Sequence, residues 1–252
     1  MTQNGIDQAA DELAVRVQAA VAKAVGSEER LAVAFSGGLD SSVVAKCAAA
    51  EAQVIACTGS AEGTWDALRA QAAADSLGVD LVTTRLTPEL VAAELTRVDF
   101  PSGGTLMDRS LWCLYSAVSR SAREAGARVI LLGQLADELF GGYAKYTHAL
   151  GERGPDAAKL MMEGDLKEYI SRGRARDVKA CSKWVEPRIP FEELADYAAS
   201  IPISYKLMGG VRKAILRRAA VRLGVPAEIA EAPKKAAQYS SGIQKLVANA
   251  HF

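Results

Sequence analysis

The sequence predicts an α/β protein: a parallel sheet of about five strands with helices on both faces over residues 1–150, then a helical half over 151–252. Three observations carry this reading. Short apolar runs alternate with helical patterns as far as Gly151, and right-handed crossovers turn such alternation into a parallel sheet. A glycine-rich turn, Ser36-Gly37-Gly38, stands where the first apolar run meets the next helix. Beyond Gly151 strand signals vanish and the pattern stays helical. No repeat, low-complexity tract or interdomain linker interrupts the chain, so residues 1–252 read as a single domain with two halves.

The elements follow in order. Leu13, Val17, Val21 and Val25 recur four apart, an amphipathic helix over Asp7–Val25. Leu31–Phe35 is a buried strand, and a helix from Asp40 turns Val43, Val44 and Cys47 inward. Gln53–Cys57 is a second strand, followed by a Gly/Ser loop and a helix over Asp66–Leu77 with Asp66 as its N-cap. Asp80–Arg85 is a third strand. A helix over Ser110–Ala125 leads to Arg128–Leu132, the clearest strand of all, and then to Gly133-Gln-Leu-Ala-Asp-Glu-Leu-Phe-Gly-Gly-Tyr143. Alanine, roughly a fifth of the chain, favours helix wherever the pattern permits.

Composition excludes several classes. Thirty Lys+Arg balance thirty Asp+Glu, and half the residues are hydrophobic. Such a chain is neither disordered nor a general polyanion binder, so neither nucleic acid nor a membrane is an expected partner. The charges are nevertheless segregated. Eight Lys/Arg lie between Lys206 and Lys235 against only Glu228 and Glu231, which reads as a basic helical cover. Cys47, Cys57, Cys113 and Cys181 have no CxxC spacing and read as buried thiols, while two histidines are too few for a zinc site. No apolar run approaches the ~18 residues of a membrane span, and the acidic first thirty residues lack a signal-peptide core. A cytoplasmic protein is expected.

Ser36-Gly37-Gly38-Leu39-Asp40-Ser41-Ser42, between a strand and a helix, has the chemistry of a phosphate cradle. Glycine lets an anion approach the backbone, and the helix start supplies free N–H groups and a positive dipole end. The serines add hydroxyl donors, and Asp40 can hold Mg²⁺. Neither GxxxxGK[ST] nor GxGxxG occurs, which leaves P-loop NTPases and Rossmann dehydrogenases unsupported. Loops at the carboxyl ends of parallel strands open on one side, so Asp137, after another strand, can converge with Asp40 on one bound Mg²⁺.

The heptapeptide resembles the pyrophosphate loop of the ATP pyrophosphatase superfamily, whose fold is adenine nucleotide alpha hydrolase-like. Gly133–Tyr143 resembles the G-x-G-A-D-E-L-F-G-G-Y segment of asparagine synthetase synthetase domains. Val185-Glu-Pro-Arg-Ile-Pro-Phe191, Lys213-Ala-Ile-Leu-Arg217 and Lys234-Lys-Ala-Ala-Gln238 resemble later motifs of that family in the right order. The resemblance implies an AMP-forming ligase that adenylylates the side chain of aspartate and passes it to ammonia. It implies ATP and Mg²⁺ as cofactors, with the phosphates held by Ser36, Gly37, Gly38, Asp40, Ser41 and Ser42. Asp40 and Asp137 would ligate the metal. Phe35, Thr58, Leu132, Gly133 and Gln134 would line the nucleotide site, and Lys235 could close over the pyrophosphate. Lys213, Asp137, Glu138 and Glu186 are the catalytic candidates. Glu186 is open to a second reading, an ion pair with Arg188.

Two departures bear on the acceptor. Gln134 stands where the family often has Glu, a candidate base for the incoming ammonium, and an amide cannot take that proton at neutral pH. Leu135 replaces a glycine. The synthetase loop begins at residue 36 and Thr2 follows Met1, so no glutaminase domain with a cysteine at position 2 is expected. Free ammonia or a separate glutaminase subunit is the expected nitrogen source, and a homo-oligomer is compatible with the sequence. The rival readings are a ligase that closes an intramolecular amide (β-lactam or macrolactam type) and a non-catalytic nucleotide-binding subunit.

Overall fold

The computed structural model describes residues 3–64, 66–97, 100, 104–233 and 241–250. Its centre is a five-stranded parallel sheet in the order β3-β2-β1-β4-β5. The strands are β1 (Arg30–Ala34), β2 (Gln53–Ala61), β3 (Asp80–Leu86), β4 (Val129–Leu131) and β5 (Glu186–Arg188). Leu31, Ala32, Val33, Ile130 and Leu131 have no exposed surface, as a doubly covered sheet requires.

Helices α2 (Leu39–Ala48) and α3 (Asp66–Leu77) make the crossovers on one face, with α1 (Gln3–Val25) against α2. Past β3 the chain forms α4 (Pro88–Leu95) and then covers the other face with α5 (Leu106–Glu124). A Thr105–Asp108 capping box starts α5 four residues before the expected Ser110. Because the chain leaves β1 and β4 toward opposite faces, their carboxyl ends border a crevice, the place where open α/β sheets bind ligands.

The C-terminal half runs through α6 (Ala136–Phe140), α7 (Ala144–Arg153), α8 (Pro155–Glu168), a π-helical turn (Tyr169–Gly173) and α9 (Arg174–Ser182). After β5 come a 3₁₀ turn (Pro190–Leu194), α10 (Ala195–Ser200), α11 (Ile203–Lys206), a small hairpin of β6 (Leu207–Met208) and β7 (Val211–Arg212), α12 (Ala214–Arg222), α13 (Ala227–Ala230) and α14 (Ile243–Asn249). One apolar core joins residues from Ala10 to Val247.

Two expectations are corrected. The half beyond Gly151 is not wholly helical, since it supplies the fifth strand and the hairpin. Glu186-Pro187-Arg188 pairs on one side only, and an edge strand of charge and proline shows no apolar period. Strand β2 also runs through Thr58 to Ala61, where the glycine and serine read as loop, because β3 pairs with it from Ile55 to Ala61. Helix α3 has the expected bounds, but the side chain of Asp66, the expected cap, lies outside the described residues. Among the described residues no helix is long and apolar enough to cross a membrane. All four cysteines are free and buried, and burial pushes each thiol up to about 12.

Candidate active site

The turn after β1 is shaped by its own short side chains. Ser36 N–H donates to Ser41 Oγ at 3.2 Å, and that hydroxyl donates to the Gly38 carbonyl at 3.2 Å. Gly37 has φ +64°, and a Cβ there would stand 2.8 Å from the Arg69 carbonyl oxygen of α3. Only glycine meets both demands. Asp40 falls in the first turn of α2, where the helix dipole favours a carboxylate.

The segment after β4 is built differently. Leu135 takes φ +74°, a left-handed conformation that disfavours a side chain, yet it is 2% exposed and held by packing. It starts α6, which carries Asp137 and Glu138. Gly142 then lies so close that a Cβ would fall 1.6 Å from Asp137 Oδ1 and 2.4 Å from Lys213 Cε. A glycine is therefore required for the carboxylate and the lysine to meet.

They do meet. Lys213 Nζ lies 2.6 Å from both Asp40 oxygens and 2.7 Å from Asp137 Oδ1. The lysine sits just before α12, is 2% exposed and has φ +57°. Burial alone would drive off its proton, but Asp137 and Asp40 outweigh that and hold its pKa above the ordinary lysine value. Leu135 and Lys213 are the non-glycine residues with positive φ among those described, and both border this cluster. Strain of this kind gathers where the surroundings over-determine a site.

A cavity of about 620 Å³ opens over these groups. Of the expected residues, Phe35, Ser36, Asp40, Ser41, Thr58, Gly133, Gln134, Asp137 and Glu138 line it. Tyr143 OH donates to Glu138 Oε1 at 2.6 Å, and burial pushes the Glu138 carboxyl above its usual range despite that bond. Gln134 Nε2 donates to Asp177 Oδ2 at 2.7 Å. Asp177 has no exposed surface and also pairs with Arg176 at 2.8 Å, and Arg176 reaches Asp108 at 2.6 Å.

Other expectations are not met. Ser42 is fully buried, and its Oγ finds no partner among the described residues, because its position on α2 faces the core rather than the cavity. Leu132 is likewise buried, its N–H spent on the Arg188 carbonyl. Glu186 pairs with Val129, at the opposite end of β4 from Gly133, and its carboxylate accepts from Arg188 at 2.7 Å in the open. The ion pair, not the site, is where Glu186 belongs. Lys234 and Lys235 lie outside the described residues.

The basic run is also not a cover. Arg218 and Arg222 pair with Asp7 and Asp11 of α1, Arg217 donates to the Ala230 and Ala232 carbonyls, and Arg212 donates to Gly142 O. Of the described members Lys213 alone joins the carboxylates. The sequence reading missed Tyr115, Tyr169, Arg172 and Arg176, which wall the cavity from α5, the π-helical turn and α9. A π-helical turn is a frequent companion of functional sites, but its local sequence gave no signal beyond a cluster of arginines.

Comparison with known proteins agrees with the motifs. The family model Asparagine synthase matches residues 12–186 and, in an overlapping second match, residues 152–250. The chain is 30% identical to a Methanocaldococcus jannaschii protein named "Putative asparagine synthetase (glutamine-hydrolyzing) 1", over 98% of this chain and 52% of that protein. It is 32% identical to "Asparagine synthetase domain-containing protein 1" of Gallus gallus, over 58% of this chain and 26% of that one. It spans about half the length of the first of these relatives and a quarter of the second. Among solved structures, a U34-tRNA thiolase from Methanococcus maripaludis aligns with a TM-score of 0.39 at 14% identity, over 94% of this chain and 81% of that one, too distant to bear on function. On the family match over nearly its whole length, this chain is a member of the asparagine synthase family.

Proposed function

We propose that this chain is an ATP-dependent ligase that joins a carboxylate to an amine through an acyl-adenylate, with aspartate and ammonia as substrates and asparagine, AMP and pyrophosphate as products. The observation that carries the reading is the meeting of Asp40 and Asp137, from two strand-end loops, on the buried Lys213 ammonium beside a glycine-serine cradle. Family membership supports ATP use and amide formation. Aspartate is the default acid of the family.

The donor set fits Mg²⁺. Asp40 and Asp137 are brought within 2.7 Å of one point, where their carboxylates now neutralise the Lys213 ammonium. An ion that takes its remaining ligands from phosphate and water suits such a site. Bound there, Mg²⁺ would neutralise charge on the pyrophosphate. The chain's own residues do the rest. Backbone N–H groups and hydroxyls of Ser36–Ser41 grip the leaving pyrophosphate, and the dipole of α2 favours its charge. Lys213 supplies a fixed cation where negative charge builds during adenylyl transfer. Thr58, Phe35 and Gly133 form the nucleoside end of the cavity, and the wall of Tyr169, Arg172 and Arg176 faces the acyl substrate.

Gln134 favours keeping a second reading of the acceptor. Its amide is held by Asp177 and offers no base, which suits an amine delivered unprotonated, whether from a glutaminase subunit or from the substrate itself in an intramolecular amide. ATP–pyrophosphate exchange across a panel of carboxylic acids tests the reading, with Asp40→Ala as control. Exchange with aspartate, and asparagine formed from added ammonium, is the expected result. Exchange only with an acid that carries its own amine would move the assignment to the intramolecular class. Tight ATP binding without exchange for any acid would make the chain a nucleotide-binding subunit.

A further inference from the structure

The proposed pyrophosphate cradle has a cationic neighbour that none of the family motifs contains. Helix α3 packs so tightly on the turn after β1 that the position of a Cβ on Gly37 lies 2.8 Å from the Arg69 carbonyl oxygen and 3.0 Å from Ala70 Cα. This contact fixes the backbone of Arg69 against the loop. Its guanidinium then emerges beside the next residue, with Nη2 3.4 Å from the Cβ position of Gly38.

Lys213, Arg217 and Arg212, among the described residues, are already engaged. Lys213 is shared by Asp40 and Asp137, Arg217 is spent on carbonyls, and Arg212 is spent on Gly142. Arg69 has no hydrogen bond and no ion pair among the described residues. It also stands in the first turn of α3, where the positive end of the helix dipole disfavours a cation. A half-buried arginine placed against its own helix dipole, beside the glycine loop, has its charge unanswered among the described residues. An anion in the cradle would answer it.

We infer that Arg69 is a phosphate-binding residue of this chain, contributed by α3, that holds the β,γ-pyrophosphate portion of the nucleotide beside Gly38. The inference rests on the nucleotide reading above. A guanidinium offers two parallel donors to phosphate oxygens, so the contact would be charge-assisted and directional.

Titration calorimetry of the full chain with Mg²⁺ and inorganic pyrophosphate, and separately with ATP and AMP, tests it on wild type, Arg69→Ala and Arg69→Lys. Circular dichroism melts confirm that the variants fold. Arg69→Ala should weaken pyrophosphate and ATP by about tenfold or more while leaving AMP within about twofold, and Arg69→Lys should fall between. Equal pyrophosphate affinity in wild type and Arg69→Ala, with both binding ATP, overturns the Arg69 assignment and leaves the nucleotide reading intact. An equal loss of AMP and pyrophosphate also overturns it, since the side chain would then be shaping the loop. A wild-type chain that binds neither ATP nor pyrophosphate overturns the nucleotide reading and the assignment together.

Discussion

The two loops that meet at Lys213 leave neighbouring strands and each deliver one aspartate, yet they solve the problem of a sharp turn in opposite ways. After β1 the left-handed position is Gly37, and the loop is braced by hydrogen bonds among Ser36, Gly38 and Ser41. After β4 the left-handed position is Leu135, and the brace is apolar: Leu135, Ala136, Leu139 and Phe140 are each 3% exposed or less. The first loop spends its serine hydroxyls on its own backbone. The second accepts about 1–2 kcal/mol of backbone strain because burial of the same side chain offsets it. The first turn is thus built from small polar residues, and the turn that aims Asp137 is built from the core.

The largest break in this comparison should come from the carboxylates themselves. Asp40→Ala or Asp137→Ala is expected to lower ATP–pyrophosphate exchange by roughly 10²–10³-fold, since each removes a pre-placed charge at the reacting phosphates. Loss from only one of the two would show that the loops do not serve one metal. Next in size is Gly142→Ala, whose methyl would overlap Asp137 and Lys213. We expect a stability loss of about 3 kcal/mol in urea unfolding, together with loss of exchange.

Gly37→Ala combines a positive φ with a methyl against the backbone of α3, and about 2 kcal/mol is expected. A destabilisation as large as that of Gly142→Ala would mean the first loop is as tightly clamped as the second. Leu135→Gly should cost only about 1 kcal/mol, because relief of strain returns part of the lost burial. If it costs about 4–5 kcal/mol, the full loss for truncating a buried leucine, strain at Leu135 is not a real term in the balance.

The smallest effect concerns Glu138. Its folded-state pKa lies above the ordinary 4.5 because it is buried, so the folded chain holds that proton more tightly than the unfolded chain. Stability therefore falls as pH rises from the unfolded value through the folded one. Glu138→Gln, which can still accept from Tyr143, should raise stability by about 1 kcal/mol at pH 7 and change little in acid. An unchanged urea midpoint at pH 7 would mean that the carboxylate finds compensation elsewhere.

What was legible in the sequence was what local chemistry enforces. A turn that needs glycine, hydroxyls and a helix-start aspartate can hardly be written otherwise, and the loop of Ser36–Ser41 lies where it was expected. Helix α3 was equally plain, from Asp66 to Leu77. Residues whose role depends on a distant partner were not legible. Ser42 matched the phosphate motif but sits on the core side of α2, a matter of helix phase. Glu186 matched a motif too, yet register with Val129 carries it to the far end of the sheet. The basic run from Lys206 looked collective, although Arg218 and Arg222 answer acids on α1 more than 200 residues earlier. Asp177 gave no signal at all, since its neighbour Gln134 is 43 residues away.

The short strand β5 has a consequence for how the chain can be cut and how it is made. Val129, Ile130 and Leu131 are at most 1% exposed, and β4 is an interior strand only because Glu186–Arg188 closes its outer side. A fragment ending near residue 150 would present that apolar backbone edge to any other chain able to add a strand. On the ribosome the same edge emerges about 57 residues ahead of its cover, an interval of several seconds at ordinary synthesis rates. Separating the halves should thus yield an N-terminal fragment that aggregates, with charged Glu186 and Arg188 and the intervening proline acting as the gatekeepers it has lost.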